Sequence, residues 1–375
     1  LKDWEKENDC KVNLTVIPWD KYEETYTTAL NSGEGPDVGY MYNEMFPTYI
    51  DAGAVEDMSS YVTDEDKKEY KYLSNGNMMD GQYGWPLVTG VPFVLYYNED
   101  ILNALGEKAP ETWDDFARIC QEATKDTDGD GKVDQYGFAC GMNTSDIGAM
   151  QILNAYYYSA LWQNGGQVYN DDLKSVSFAD EAGKEAVTWL KGLTSYMNED
   201  FMSLSWSDAF SNVFGAGKAA FGITRSSQTD GTTFAETYPD LNWNFVTSLK
   251  NKDFGTFGAT DCLTLMSACE DKDLAMDFIK YVTGSEFMTA YHAKCPGAAL
   301  TESEPYVGDE KMEKIYTEDK DKWHGIQAGP CGTQILNQLA ADFQGIMSGE
   351  TSVDEGLKEA EDYANGLLDE YWANK

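Results

Sequence analysis

The stretch 81–116, GQYGWPLVTGVPFVLYYNED followed by ILNALGEKAPETWDDF, constrains the fold more than any other part of the chain. Its apolar run 91–97 is long enough for a buried strand, and Gly84 and Pro86 announce it. The run breaks at Asn98. A short linker containing Pro110 then delivers Thr112-Trp113-Asp114-Asp115, a Thr-x-x-Asp helix start whose end side chains can cap each other's backbone amides. The stretch reads as one strand that leaves a first lobe and hands the chain to a helix of a second.

Two lobes also follow from size. The 375 residues exceed the roughly 250–300 at which single hydrophobic cores stop growing, and a hydrophobic content of 42% fills ordinary cores. No apolar run approaches the roughly 20 residues that cross a bilayer. Neither a charged-then-apolar leader nor a small-residue cleavage site stands at Leu1, so in an exported form the leader has been removed or left out. With 65 acidic and 27 basic residues the net charge is −38, which repels phosphate backbones and anionic lipid and disfavours both as partners. The acidic residues are dispersed among hydrophobic patterns, as on a solvated surface. Seven cysteines, an odd number without a CxxC spacing, argue against structural zinc and leave free thiols or one or two disulfides open. Only His292 and His324 are available for acid–base or metal chemistry near neutral pH.

Along the chain, residues 1–8 read as the end of an amphipathic helix, 12–17 alternate as a strand, and 22–30 return to helix. GEGPDV at 33–38 turns into a short strand, 38–42. Strands alternating with helices predict parallel βαβ units. Residues 154–166, NAYYYSALWQNGG, form an aromatic helix stopped by Gly165 and Gly166. Ala186, Leu190, Leu193 and Met197 make a helical stripe, and FGAGKAAFGI at 214–223 is a glycine-hinged turn into a buried strand. Residues 254–266 enter another strand, followed by the helical face of Leu274, Ala275, Phe278, Ile279 and Val282. A capping box, Ser352-x-x-Glu355, opens a C-terminal helix.

The sharpest chemical motif is the acidic loop Asp126-Thr-Asp128-Gly-Asp130-Gly131-Lys132-Val133-Asp134. Three carboxylates at alternating positions, with Gly131 for a tight turn, converge oxygens as calcium loops do. Lys132 would supply its backbone carbonyl, and Asp134 would bind directly or through water. Gly137 stands where a bidentate Glu would complete a helix–loop–helix sensor, so the expected Ca2+ is structural. The competing reading is an Asx-rich turn whose aspartates only cap backbone amides.

Seven pieces occur in one order: GEGPDV, GQYGWP, LYYNEDIL, ETWDDF, LWQNGG, FGAGKAAFGI and AMDFIKYVTGSEFM. Together they resemble the extracellular carbohydrate-binding proteins of ABC importers, solute-binding proteins of family 1 of the maltose-binding-protein type. The resemblance covers nearly the whole chain. It implies an α/β, two-lobed periplasmic-binding-protein-like fold of type II, each lobe a mixed or parallel sheet flanked by helices. It divides the chain into a first lobe of residues 1–90 plus 260–298 and a second of 93–256 plus 301–375. Three hinge crossings fall near 89–92, 256–260 and 297–301. Such proteins open with one further strand and most of a helix, which this sequence lacks.

Sugars present apolar ring faces and hydroxyl edges, so their sites combine flat aromatic side chains with carboxylates, amides and arginine, beyond the C-terminal ends of strands. Tyr42, Asn43 and Glu44 follow the 38–42 strand where the family's loop presents polar groups to sugar; MYNEMF can equally cap the next helix. Trp85 and Thr89 adjoin the first crossing, Trp85 packing in the hinge or touching ligand. Asn154, Tyr158 and Trp162 share a helical face that in the family borders the cleft, although an aromatic stripe also suits a core. Arg225-Ser226-Ser227 leave a buried strand, the arginine serving hydroxyls, a uronate or an interlobe ion pair. Trp206, Asp261 and Trp323 complete the candidates.

No Gly-x-Ser-x-Gly elbow, HExxH or GxxxxGK[ST] loop occurs, which disfavours serine hydrolases, zincins and P-loop NTPases. A glycoside hydrolase needs two carboxylates in a set geometry, which acidic abundance alone does not establish. The expected function is therefore a non-enzymatic receptor that captures an oligosaccharide and presents it, by lobe closure, to ABC permease subunits. A receptor for a polyamine or peptide is the alternative. By the resemblance it works as a monomer, outside the cell, as a lipoprotein tethered to the membrane of a Gram-positive-type bacterium.

Overall fold

A computed structural model describes residues 1–33, 35–144, 150–230 and 233–375, with only the backbone of Asp20; Glu34 of the GEGPDV turn lies outside them. The chain forms two compact units, Leu1–Pro36 and Asp37–Lys375. In the first, the expected helices are present as Lys2–Glu7 and Tyr22–Ser32, the latter ended by Gly33 at φ 72°. The expected strand at 12–17 is not there. Its Val12 amide is taken by the Glu5 carboxylate at 3.0 Å, and Leu14 and Val16 stand 79% and 82% exposed. Alternation supplies one apolar face, but a strand also needs a neighbour to complete its ladder.

The second unit carries nine strands among the described residues: β1 (Val38–Tyr42), β2 (Asn77–Met78), β3 (Gly81–Gln82), β4 (Trp85–Gly90), β5 (Phe93–Asn98), β6 (Tyr136–Ala139), β7 (Ala219–Arg225), β8 (Trp243–Val246) and β9 (Ala259–Leu265). They make a three-stranded sheet, β1-β9-β4, a four-stranded sheet, β6-β7-β5-β8, and the β2–β3 hairpin. The sequence alternation predicts parallel pairing; of the described pairs only β6 with β7 is parallel. β9 returns from far along the chain to lie between β1 and β4, and β5 lies between β7 and β8, so neighbours in space are not neighbours in sequence.

Leu263, Leu265, Trp85, Leu73 and the helix Lys272–Thr283, through Met276 and Ile279, pack one core on the three-stranded sheet. β5 alternates between two cores. Phe93 and Leu95 meet Phe116, Phe138, Phe221 and Phe343, whereas Val94 and Tyr96 meet Phe210, Phe214, Phe245 and Met312. The helix Trp113–Ala123 starts as read, with Thr112 and Asp115 forming a reciprocal capping box. Ser352 likewise caps the helix Val353–Ala373. All seven cysteines are free thiols. No helix among the described residues is long and apolar enough to cross a membrane.

The strand expected in the run 91–97 forms as β5, Phe93–Asn98, after a turn at Val91 and Pro92. β4 stops at Gly90 (φ 88°), Val91 turns at φ 48°, and β5 begins after Pro92 in the other sheet. Gly90 is closely packed at this turn: a Cβ on it would lie 2.8 and 3.0 Å from atoms of Tyr316 and Ala298. The chain returns between Val246 and Ala259, where the Phe93 amide donates to Phe257 O at 2.9 Å and the Gly258 amide to His324 O at 3.0 Å. It passes again near 297–301, where the Ala298 amide meets Thr89 O at 3.3 Å and the Lys71 amide meets Leu300 O at 2.9 Å. A buried His292–Glu304 pair braces this last passage, Nδ1 to Oε1 at 2.5 Å, while Glu304 accepts the Leu300 amide.

Candidate functional site

Strand ends and the breaks between sheets gather most of the predicted residues. β1 ends at Tyr42, opposite Asp261 in β9, and runs into Asn43 and Glu44. The helix Phe46–Asp51 that follows has no side-chain cap, so capping does not account for this pair. Glu44 is 9% exposed, and its charge, after burial itself, helps hold the Tyr158 hydroxyl far above the usual phenol range. The end of β1 thus lies within electrostatic reach of the aromatic helix.

This helix runs as Met150–Ile152, a π-helical stretch Leu153–Tyr157, and Tyr158–Gln163. Tyr158 and Trp162 stack at 5.3 Å with planes 17° apart; Tyr158 also touches Phe257, and Trp162 meets the His324 ring at 4.1 Å. Partial desolvation lowers the His324 pKa below its ordinary value, with Asp253 pulling the other way.

Arg225 closes β7 with its guanidinium over Phe93 and Trp206, 5.5 and 5.4 Å from their ring centres, and donates from Nη2 to Gln151 Oε1 at 2.8 Å. Burial lowers its pKa, while Asp261 and Tyr40 raise it. Asp261 accepts a short hydrogen bond from the Tyr40 hydroxyl. Its carboxyl is pushed up to about 6 by burial, against the pull of Tyr40 and Arg225.

Several buried polar atoms here have no hydrogen-bond partner among the described residues: Asn43 Oδ1, Thr89 Oγ1, Asn154 Oδ1, Tyr158 Oη and Trp206 Nε1. Buried polar atoms are rarely left unpaired without reason. Four further such atoms, on Trp85, Trp189, Thr301 and Tyr371, lie apart from these.

Three predicted residues sit elsewhere. Trp85 is wholly buried in the first core, under Tyr70 at 5.1 Å and with the Lys280 ammonium 5.2 Å from its ring. Trp323 is 5% exposed, donates Nε1 to Ile315 O at 2.9 Å, and packs against Tyr72 and Tyr316. Ser226 is buried against the Tyr316 hydroxyl at 2.9 Å, while Ser227 stays half-buried on the same turn. The residues that sequence reasoning omitted are Tyr40 and Gln151; His324 is named there, beside Trp323 in the chain. Tyr40 lies on the same strand face as Tyr42, so its period-2 position was a usable signal. Gln151 carried none.

In the acidic loop, oxygens of Asp126, Asp128 and Asp130 lie within 4.8 Å of one another. Asp126 accepts the Gly129 and Gly131 amides at 2.6 and 2.7 Å, which lower its pKa. Asp128 and Asp130 each accept one further amide. Asp134 stands outside the cluster, held by the Thr127 amide and hydroxyl at 2.9 and 2.8 Å.

A family model described as bacterial extracellular solute-binding protein matches residues 1–305. A binding protein of Brucella abortus (strain 2308) is 25% identical over 328 residues, covering 83% of this chain and 72% of the relative. A multiple sugar-binding protein of Streptococcus mutans is 32% identical over 132 residues, 34% of this chain and 30% of that one. The crystal structure of the cyclic α-maltosyl-1,6-maltose binding protein from Arthrobacter globiformis superposes with a TM-score of 0.78 at 17% identity, over 98% of this chain and 93% of that one. The last likeness bears out the expected α/β fold of the periplasmic-binding-protein type.

Proposed function

The chain belongs to the bacterial extracellular solute-binding proteins, and from that premise we propose that it captures a carbohydrate and delivers it intact to the permease of an ABC importer. One lobe is built on the three-stranded sheet and the other on the four-stranded sheet, divided at the crossings near 89–92, 256–260 and 297–301. Ligand held by one lobe gains contacts from the second on closure, which shifts the population towards the closed form.

The observation that carries the reading is the set of unpartnered buried atoms on Asn43, Thr89, Asn154, Tyr158 and Trp206, drawn from both sides of the crossings and set beside stacked rings. Hydroxyl-rich ligands with apolar faces suit that combination. The multiple sugar-binding protein of Streptococcus mutans adds support from a relative. The protein acts as a monomer anchored outside the cell by a lipid-modified N-terminus.

A glycan array followed by calorimetry tests the reading. Stoichiometric binding of one saccharide class without product supports it; cleavage of the bound glycan would make the chain an enzyme, and tight binding of a polyamine or peptide instead would make it a receptor of another class.

We also propose that the acidic loop holds Ca2+ in a structural role. Three hard carboxylate oxygens brought together on a glycine-rich turn fit that ion, with Asp134 fixing the loop through Thr127 rather than binding.

A further inference from the structure

We propose that Arg225 and Asp261 form a clamp that reads adjacent hydroxyl groups of a neutral saccharide, Arg225 donating to the ligand's oxygens and Asp261 accepting from its hydroxyl protons. The proposal rests on the carbohydrate reading above and names the residues that recognise that class.

Arg225 comes from the four-stranded sheet and Asp261 from the three-stranded sheet. Each feels the other's charge, yet no nitrogen–oxygen contact of 4.0 Å or less joins them. Both are held from behind. The guanidinium rests on Phe93 and Trp206 and bonds Gln151; Asp261 is fixed by the Tyr40 hydroxyl, which reaches it from the diagonal position across the β1–β9 ladder.

Their remaining hydrogen-bonding capacity is complementary. A guanidinium carries five N–H donors in a planar fork, and Gln151 is its one hydrogen-bond acceptor among the described residues. The carboxylate keeps lone pairs beyond the one that Tyr40 uses. Trp206, 4% exposed, adds an indole N–H without a partner. A sugar hydroxyl donates and accepts at once, so adjacent hydroxyls can bridge a donor fork and a carboxylate that do not bond each other directly.

Charge separates the ligand classes. Arginine and aspartate sum to zero within the pair, so a neutral sugar adds no third charge to it. A uronate would put a second carboxylate beside Asp261, and a polyamine a second cation beside Arg225.

The experiment is calorimetry on the full chain with maltotriose, cellotriose, xylotriose and trigalacturonate as probes. It uses wild type, Arg225→Lys, Arg225→Gln, Asp261→Asn and the Arg225→Gln/Asp261→Asn double variant, each checked for folding by circular dichroism. Each single variant is expected to lose about 10- to 100-fold in affinity for a neutral trisaccharide that binds wild type. The double variant should lose less than the product of the two single losses, because one ligand group couples them. Arg225→Lys, which keeps the charge but not the fork, should lose nearly as much as Arg225→Gln. Folded single variants that bind the neutral sugar as well as wild type would overturn the clamp while leaving the carbohydrate reading standing. Trigalacturonate binding more tightly than every neutral probe would overturn it too, by making Arg225 a carboxylate receptor. Failure of all four probes to bind wild type would remove the carbohydrate reading and the clamp together.

Discussion

Gly90 and Tyr316 meet edge to backbone where β4 gives way to β5: a Cβ on Gly90 would lie 2.8 Å from the Tyr316 ring, and the glycine holds φ 88°. Gly90→Ala therefore meets two penalties, a left-handed backbone and a clash with a buried ring. Their sum is about 2–4 kcal/mol of stability. Gly106, at φ 76° with nothing within 4 Å of its would-be Cβ, carries only the first. Urea unfolding should find Gly106→Ala about 1 kcal/mol less stable than wild type and Gly90→Ala clearly worse. Equal losses would refute close packing at this crossing.

Asp261 makes opposite predictions for stability and for binding. Its folded value of about 6 lies above the ordinary 3.8, so the native state binds more protons than the unfolded state between those values. Stability contributed by this group is full below about 3.8 and is lost as pH rises to about 6. Asp261→Asn should thus be more stable than wild type at pH 7.5, by roughly 1–2 kcal/mol after allowing for partial exposure, and show no gain near pH 4. Saccharide affinity of wild type should instead fall below pH 6, as protonation removes the charge and turns one accepting oxygen into a donor. Besides Arg225 and Tyr40, Cys262 and Tyr291 feel this carboxyl, and both are neutral across that range. Paired melting and calorimetry across pH 4–8 would check both; affinity independent of pH would refute the second.

What could be read from sequence was what neighbours along the chain decide. The Thr112 cap, the strand ending at Tyr42 and the apolar face of Lys272–Thr283 are each set within a few residues. Residues 12–17 failed because alternation does not provide a pairing partner. The strand of the run 91–97 was legible, but not its late start, because the positive φ of Val91 runs against the preference of a β-branched residue. The site divides similarly. Arg225 and Glu44 could be picked from their places at the ends of β7 and β1. Gln151 matters only because β7 delivers Arg225 to it.

The acidic loop predicts a metal-dependent melting temperature. Bringing the Asp126, Asp128 and Asp130 oxygens within 4.8 Å leaves mutual repulsion that Ca2+ would relieve. Calcium at 100 times its dissociation constant should stabilise the fold by about 2.7 kcal/mol. Chelator-treated protein should melt lower and recover on adding Ca2+. Asp128→Asn should blunt the recovery, whereas Thr127→Val, which frees Asp134, should weaken it less. A melting temperature indifferent to Ca2+ would leave the loop as a set of Asx turns.

Trp323 and His324 are neighbours in sequence with opposite surroundings. Pairing of Phe257 with His324 sends adjacent side chains to opposite sides, Trp323 into the core and the imidazole against Trp162. Removing a buried indole leaves a cavity, so Trp323→Ala should cost about 3–5 kcal/mol. Gly258, whose would-be Cβ lies 2.6 Å from that indole, belongs to the crossing that would loosen. His324→Ala removes an exposed ring and one aromatic contact, a loss of about 0.5–1.5 kcal/mol. Trp323→Phe, which keeps a ring in the core, separates packing from recognition: it should retain saccharide affinity while losing part of the stability. A fall in affinity for folded Trp323→Phe as large as that for Arg225→Gln would return Trp323 to the site and contradict the burial of its ring.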